Sequence, residues 1–461
     1  MFLKNKNVLV LGLGISGLST VKALNHLGAH IVVSDNKSEE ELKDFFNKIG
    51  EIYVEKHLGT NDINLENIDL IIKSPGIPPT NPILFRANTR NIEIITDIEL
   101  AYRISNTENI IAITGTNGKT TTTALVAEIF KKAGYNVHKS GNIGVGILWD
   151  MINSEKDHVF VVETSSFQLE NTVYFKPKIS LITNITPDHL DWHGSINNYI
   201  DAKKKVFKNQ DFDDFTVLNY EDETLRKMEK EINSNIIWFS SSQILEKGVY
   251  KKEENIIINN GEKEEIVIPS EELKILGKHN LENALAAIAI AWAMDIDLKS
   301  IESALREFPG VEHRGEYVRS IGGISFYNDS KGTNPDSTIN AIEAIDEPII
   351  LIAGGYDKGI EFDTLIKSFH GKVRDIILLG QTKEKIKEAA LRHEFENIHM
   401  VENMEEAVHV SYKIGVKGDN ILLSPACASW GMYNNFEERG IDFKKIVHDL
   451  EVKESGKDAD N

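Results

Sequence analysis

Short apolar, β-branched runs alternate with longer amphipathic stretches along almost the whole chain, a pattern that predicts parallel α/β structure. Over residues 1–96 the runs Lys6–Leu11, His30–Ser34, Leu70–Ser74 and Glu93–Ile95 predict strands, with helices near 16–27 and 38–49. Residues 97–108 form an amphipathic connector. A second unit starts with a strand at Asn109, which runs through a glycine loop into the helical stretch Thr121–Gly134. Its later strands are expected at Val159–Val162, Ile179–Ile185 and Phe215–Leu218. Ile256–Ile258 and Glu265–Ile268 flank Asn260-Gly261, a two-residue hairpin signal, and an alanine-rich helix covers about 280–294. At Phe308-Pro309-Gly310 the pattern resets. Strands at Ile324–Asn328, Pro348–Ala353, Asp375–Leu379 and Asn420–Leu423 then predict a third α/β domain.

Composition changes this picture little. A chain of 461 residues is too long for one core and fits three domains at roughly 150 residues each. The net charge of −20 argues against a nucleic-acid partner, which would need a basic stripe. One cysteine, Cys427, allows no intrachain disulfide and reads as a small core residue in a reducing compartment. The first residues read as a strand entering a glycine turn, not as a secretory leader. The longest apolar stretch, Ala284–Met294, is too short to span a bilayer. The expectation is a cytoplasmic monomer with no membrane partner, its charged tail Lys453–Asn461 frayed.

The chemistry gathers at predicted strand ends. Gly115-Thr116-Asn117-Gly118-Lys119-Thr120 joins a strand to a helix, the order a phosphate-binding P-loop needs. Lys119 would reach β/γ-phosphates and the Thr120 hydroxyl would ligate Mg²⁺. The loop is shorter than the strict pattern, with Ile113 where a further glycine is asked for. In the first domain Gly12-Leu13-Gly14-Ile15-Ser16-Gly17 follows a strand, and Asp35 ends the next one. Alone this admits a nicotinamide dinucleotide, another nucleotide, or mere packing. Glu163 at the end of one strand and Asp188-His189-Leu190-Asp191 beyond another are placed for metal or phosphate work. Lys203, Lys204 and Lys205 read, on the residues alone, as a solvated helix face. In the third domain Asn328–Pro335, Gly354–Gly359 and Ser424–Trp430 each follow a strand, the arrangement that builds a ligand crevice.

Eleven segments in register resemble the Mur ligases of peptidoglycan precursor synthesis. They include residues 12–17, 74–77, 115–120, 141–144, 163–170, 188–191, 279–284, 312–314, 328–334 and 424–429, with Ala202-Lys203. The resemblance implies a Rossmann-like domain (1–96) for a UDP-linked substrate, a central P-loop ATPase-type domain (97–309), and a C-terminal Rossmann-like domain (310–461) that brings the amino acid and closes on ATP. Ser165-Ser166-Phe167-Gln168 and the segment from Ser424 to Gly440 are similar to the member that adds D-glutamate to UDP-N-acetylmuramoyl-L-alanine. On that likeness Ile15, Ser16, Asp35, Gly76, Asn142 and His189 would hold the UDP substrate. Lys37 stands where some members carry arginine. Gly115, Thr116, Asn117, Gly118, Lys119, Thr120, Thr121, Asn280, Asn283, Arg314 and Asp329 would bind ATP. Lys331, Thr333, Lys358, Ser429, Trp430 and Phe436 would surround D-glutamate. Lys203 would be carbamylated and, with Thr120, Glu163 and His189, would serve two Mg²⁺ sites; Lys119, Glu163, His189 and Lys203 would be the catalytic set. The expected reaction is amide formation through an acyl phosphate. Other amino-acid ligases of the family, the folylpolyglutamate-type relatives, a nicotinamide dehydrogenase with an added nucleotide module, and a non-catalytic nucleotide-gated binder remain open at this level.

Overall fold

Three sheets organise the chain. The structure, a computed structural model, describes residues 3–141, 146–275, 277–357 and 359–450, with nothing stated of the Asp191 side chain. Asn142, Lys358 and the tail Lys453–Asn461 lie outside the described residues.

The first sheet holds β1 (Asn7–Leu11), β2 (His30–Asp35), β3 (Glu55–Leu58), β4 (Leu70–Lys73) and β5 (Glu93–Ile95), all parallel, in the order β3-β2-β1-β4-β5. The chain reverses direction of travel between β1 and β4, and ligands of such sheets sit beyond the strand ends at that switch point. Leu9 and Ile71 pack on one face of the sheet and Val8, Val10 and Ile72 on the other. Burial on both faces is why these strands read as continuous apolar runs.

The second sheet contains β6 (Ile110–Thr114), β7 (Val137–Gly141), β8 (Val159–Glu163), β9 (Ile179–Ile182), β10 (Phe215–Asn219), β11 (Asn235–Ser240), β12 (Gly248–Lys252), β13 (Asn255–Asn259) and β14 (Glu264–Pro269). Their order is β14-β13-β12-β11-β10-β9-β6-β8-β7, so β6 sits between β8 and β9. The hairpin is longer than expected: Asn259 pairs with Glu264, so four residues turn the chain instead of Asn260-Gly261 alone. The Asn260 side chain caps the backbone of Glu262 and Lys263 and makes the longer loop self-supporting. The helix expected from residue 38 begins at Lys43, because Ser38 and Glu41 hold a turn of their own.

The third sheet, β15 (Glu316–Ile321), β16 (Ile324–Asn328), β17 (Ile349–Ala353), β18 (Val373–Leu378), β19 (Ile398–Met400) and β20 (Asn420–Leu423), has the order β15-β16-β20-β17-β18-β19. Only β15 is antiparallel to its neighbour. The ends of β16, β20 and β17 therefore lie side by side, as the three-loop crevice requires.

These sheets form two compact units, Met1–Leu273 with Leu281–Phe308, and Lys274–Asn280 with Pro309–Asn461. One apolar core runs through the first unit from Val8 and Val10 of the first sheet, past Ile98 and Leu100, to Ala112, Phe160 and Ile182 of the second. Among the described residues no helix is long and apolar enough to cross a membrane.

Candidate active site

At the end of β6 the chain turns through Gly115 (φ +134°) and Gly118 (φ +86°) into the helix Lys119–Lys132. A side chain at either is strained by the positive φ and crowds a neighbour. A Cβ on Gly115 would lie 1.9 Å from Thr183 Oγ1, and one on Gly118 2.3 Å from Asn283 Oδ1. The segment after β9 holds the loop in shape. The Asn117 carbonyl accepts from the Thr183 hydroxyl (2.6 Å), the Asn117 N–H donates to Asn184 Oδ1 (2.9 Å), and the Thr116 N–H donates to the Asn184 carbonyl (2.9 Å). Thr116 Oγ1 meets the Tyr199 hydroxyl at 3.0 Å. Burial pushes that phenol up to about 12, so it remains an O–H. Thr183, Asn184, Thr186 and Tyr199 brace the loop, and the sequence reading gave none of them a role.

Two lysines converge on one oxygen. Lys119 Nζ donates to the Gly115 carbonyl (3.0 Å) and to that of Thr116 (2.8 Å). Lys203 Nζ donates to the same Gly115 carbonyl at 2.7 Å and to Thr114 Oγ1 at 3.4 Å. Lys203 is only 2% exposed and lies over the Tyr199 ring. Burial, reinforced by the Lys119 charge, holds its amine well below the usual lysine range, with Asp188 opposing. Its neighbours in sequence are not a solvated face either. Lys204 is half-buried and pairs with Glu231 at 2.7 Å, and Lys205 donates to the Glu170 carbonyl. The helix Ile196–Lys204 lies against the protein where the lysine run made it look free.

Glu163 ends β8, paired in register with Ile113 of β6 and 2% exposed. With the buried Thr120 hydroxyl it places hard oxygen donors beside the P-loop, the donor set Mg²⁺ takes. His189 is half-exposed, in the left-handed region (φ +51°), with its ring on Phe167 (4.8 Å) and Nε2 3.4 Å from Asp188. Asn283 is buried where Thr122 Oγ1 donates to it at 3.2 Å. Thr121 is buried in the first turn of the P-loop helix, and Asn280 is half-buried one turn before Asn283.

At the first sheet's switch point Gly14 caps the helix Ile15–His26, and a Cβ there would meet nothing within 4 Å. Open space at a helix N-terminus suits a diphosphate. Ile15 is 71% exposed beside it, Ser16 half-buried and Gly76 exposed. Asp35 accepts from the Leu13 N–H (2.7 Å) and the Lys37 N–H (2.9 Å), which orients its carboxylate.

In the second unit, Asp329 follows β16 and is 6% exposed, accepting from Ser424 Oγ (2.6 Å) and the Gly315 N–H (3.2 Å). Burial raises its carboxyl to about 6 against those bonds and the Arg314 charge. Arg314 Nε is buried with no hydrogen-bond partner among the described residues, a donor left over for a ligand. The helix Phe436–Asp449 is tied in by Arg439, which donates to Ser330 Oγ (3.0 Å), the Ser330 carbonyl (2.7 Å) and the Cys427 carbonyl (3.1 Å). Lys331 lies over the Phe436 ring at 5.5 Å, Trp430 packs edge-on against Tyr356, Ser429 is buried and Thr333 half-buried. Arg439 and the buried His313, whose Nδ1 faces Asn328 Nδ2 at 2.9 Å, organise this site; both stood in quoted segments (Ser424 to Gly440 and 312–314) but were given no role from sequence. A lone Arg or His on an amphipathic helix or turn carries no signal of burial.

Comparison with known proteins agrees in all three parts of the chain. Residues 6–96 match the profile of the Mur ligase MurD-like N-terminal domain, 113–291 that of the Mur ligase middle domain, and 313–427 that of the Mur ligase glutamate ligase domain. A UDP-N-acetylmuramoylalanine–D-glutamate ligase from Caldanaerobacter subterraneus is 48% identical over 453 residues, 98% of this chain and 100% of the relative. One of the same description from Clostridioides difficile is 46% identical over 451 residues, 98% of this chain and all of the relative. The crystal structure of a UDP-N-acetylmuramate-alanine ligase from Thermotoga maritima superposes with a TM-score of 0.60 at 22% identity, covering 96% of this chain and 99% of that one, and shares the fold.

Proposed function

The chain belongs to the Mur ligase family, and from that premise we propose that it joins D-glutamate to UDP-N-acetylmuramoyl-L-alanine with cleavage of ATP to ADP and phosphate. The near-full-length identity of 46–48% to D-glutamate ligases carries this reading. A carboxylate resists amine attack because its charge and resonance both oppose a nucleophile. Transfer of the γ-phosphoryl group to the alanine carboxylate gives an acyl phosphate. The D-glutamate amine then adds to the carbonyl carbon, loses a proton, and phosphate leaves as the amide forms.

The residues of the first unit fit this work. Lys119 and the N-terminus of its helix neutralise phosphoryl oxygens, and the open seat at Gly14 takes the diphosphate of the UDP substrate. Thr120, Glu163 and His189 would hold Mg²⁺, which when bound would offset the charge developed on the transferring phosphoryl group. The buried, neutral-leaning Lys203 amine is the form that adds CO₂, giving a carbamate with carboxylate character as a further metal ligand. Lys331, Thr333, Ser429, Trp430 and Phe436 offer D-glutamate one cation, two hydroxyls and two rings.

The deciding experiment is phosphate release from ATP. It should require both UDP-N-acetylmuramoyl-L-alanine and D-glutamate, and Lys119→Ala should remove it while calorimetry still detects the UDP substrate. Release equally supported by L-alanine or a diamino acid would refute the D-glutamate assignment.

A further inference from the structure

A second lysine is as deeply buried as Lys203 and has no part in the chemistry above. Lys73 ends β4, is 2% exposed, and donates from Nζ to the Ile77 carbonyl at 3.1 Å. Its ammonium lies over the Trp192 ring, 5.4 Å from the centroid, in the field of Glu170 and Asp97. The Trp192 indole N–H donates to Glu170 Oε2 at 3.3 Å, so cation, ring and carboxylate form one assembly. Burial lowers the amine to about 8 and the two carboxylates oppose that fall, which leaves the cation in place at neutral pH.

The assembly touches both halves of the proposed substrate path. Lys73 runs directly into Ser74-Pro75-Gly76-Ile77, and Ser74 Oγ donates to the Gly12 carbonyl at 2.8 Å. Trp192 belongs to the short helix Leu190–His193, whose N-cap is His189; the Trp192 N–H donates to the His189 carbonyl at 3.1 Å. Phe167 packs on His189, Trp192 and His193 at once, and His193 Nε2 lies 3.0 Å from Ser166 Oγ. The Lys73 cation links the turn Ser74–Ile77 of the first sheet to this aromatic cluster of the second. Filling the space alone gives no reason for a charge, because a buried ion carries a desolvation penalty that an apolar side chain of equal length would not.

We infer that Lys73, acting through Trp192, is a positioning residue that fixes His189 relative to the substrate held at the Ser74–Ile77 turn. The inference rests on the ligase reading and on the role proposed there for His189. Misplacement of a reacting group by about 1 Å costs on the order of 100-fold in rate.

The test is steady-state phosphate release by the full chain, with wild type measured first. No D-glutamate-dependent release from wild type overturns the ligase reading and this inference together; every other result bears on Lys73 alone. Lys73→Met should lower kcat about 10- to 100-fold with KM for UDP-N-acetylmuramoyl-L-alanine within about threefold of wild type. Lys73→Arg should recover most of the loss. Trp192→Leu should lower kcat similarly, and the double variant Lys73→Met/Trp192→Leu should be no slower than the slower single one. Unchanged kcat in Lys73→Met, a raised KM with unchanged kcat, or multiplying losses in the double variant each overturns the inference. If Lys73→Met shows no cooperative melting transition, Trp192→Leu, which leaves the cation in place, decides: normal kcat there overturns it.

Discussion

Replacing Gly115 by alanine tests the site at the atom where most of it converges. The new Cβ would stand 1.9 Å from Thr183 Oγ1 and 3.0 Å from the Thr183 N, on a residue with φ +134°. A non-glycine residue in that region costs about 1–3 kcal/mol. Relief of the overlap requires the Thr183 side chain to turn away, breaking its bonds to the Asn117 carbonyl (2.6 Å) and the Thr114 carbonyl (3.3 Å). At about 0.5–1.5 kcal/mol each, the total destabilisation comes to about 2–6 kcal/mol. The same carbonyl that accepts from Lys119 and Lys203 would shift, so turnover should fall by at least about 100-fold. Urea unfolding followed by the fluorescence of the chain's tryptophans measures the first quantity, and phosphate release the second. Thr183→Ala should relieve the steric part but not the backbone strain, so Gly115→Ala/Thr183→Ala should be more stable than the sum of the single changes. A Gly115→Ala protein with wild-type stability and turnover would refute both the loop geometry and its role.

Lys203→Ala should lose activity that short carboxylic acids partly restore, by supplying the anion the carbamate would have carried; full activity without added acid would exclude the role. Asp329 has a folded-state pKa of about 6 against an ordinary 3.8, so the folded state holds its proton longer. Its contribution to stability is greatest below pH 4 and declines as pH rises to 6, by about 3 kcal/mol in all. Asp329→Asn should remove that part of the slope, and identical pH–stability curves for the two proteins would contradict it. Cys427, 2% exposed with Sγ 3.2 Å from Thr382 Oγ1, should react with a thiol reagent only on unfolding, and stoichiometric labelling of the native chain would contradict its burial.

What the sequence made legible follows from burial. The strands found from apolar runs, such as β1, β4, β6, β8 and β17, are central and covered on both faces. Those that escaped are mostly edges: Glu55-Lys56-His57-Leu58 of β3, Val137-His138-Lys139-Ser140-Gly141 of β7, the three residues of β19, and the half-exposed β15. An edge strand needs no apolar neighbour on its open side, so its residues need carry no run, although those of β5 and β14, also edges, do. β11 and β12 are exceptions inside the sheet: the apolar Ile236–Phe239 and the short Gly248–Lys252 were passed over between polar stretches. The P-loop was legible because its chemistry is local, six residues in a row. Lys203 was not, since only the fold carries an amine from the helix Ile196–Lys204 to the Gly115 carbonyl. The resemblance supplied that residue where periodicity read a solvated surface.

The single core shared by the first two sheets divides the molecule differently from its sequence modules. Three profiles match, yet the proposed substrate seat at Gly14 and the proposed phosphate loop at Gly115 belong to one compact unit. Cutting after residue 96 would strip cover from Ile98, Leu100 and Ala101 and sever the bond from the Thr96 hydroxyl to the Gln168 carbonyl. The first ninety-six residues are therefore not a detachable cassette. If the substrate and ATP bind at these two places, as proposed, the one core beneath them would set their separation as the chain folds, and they would lose that much less freedom in meeting.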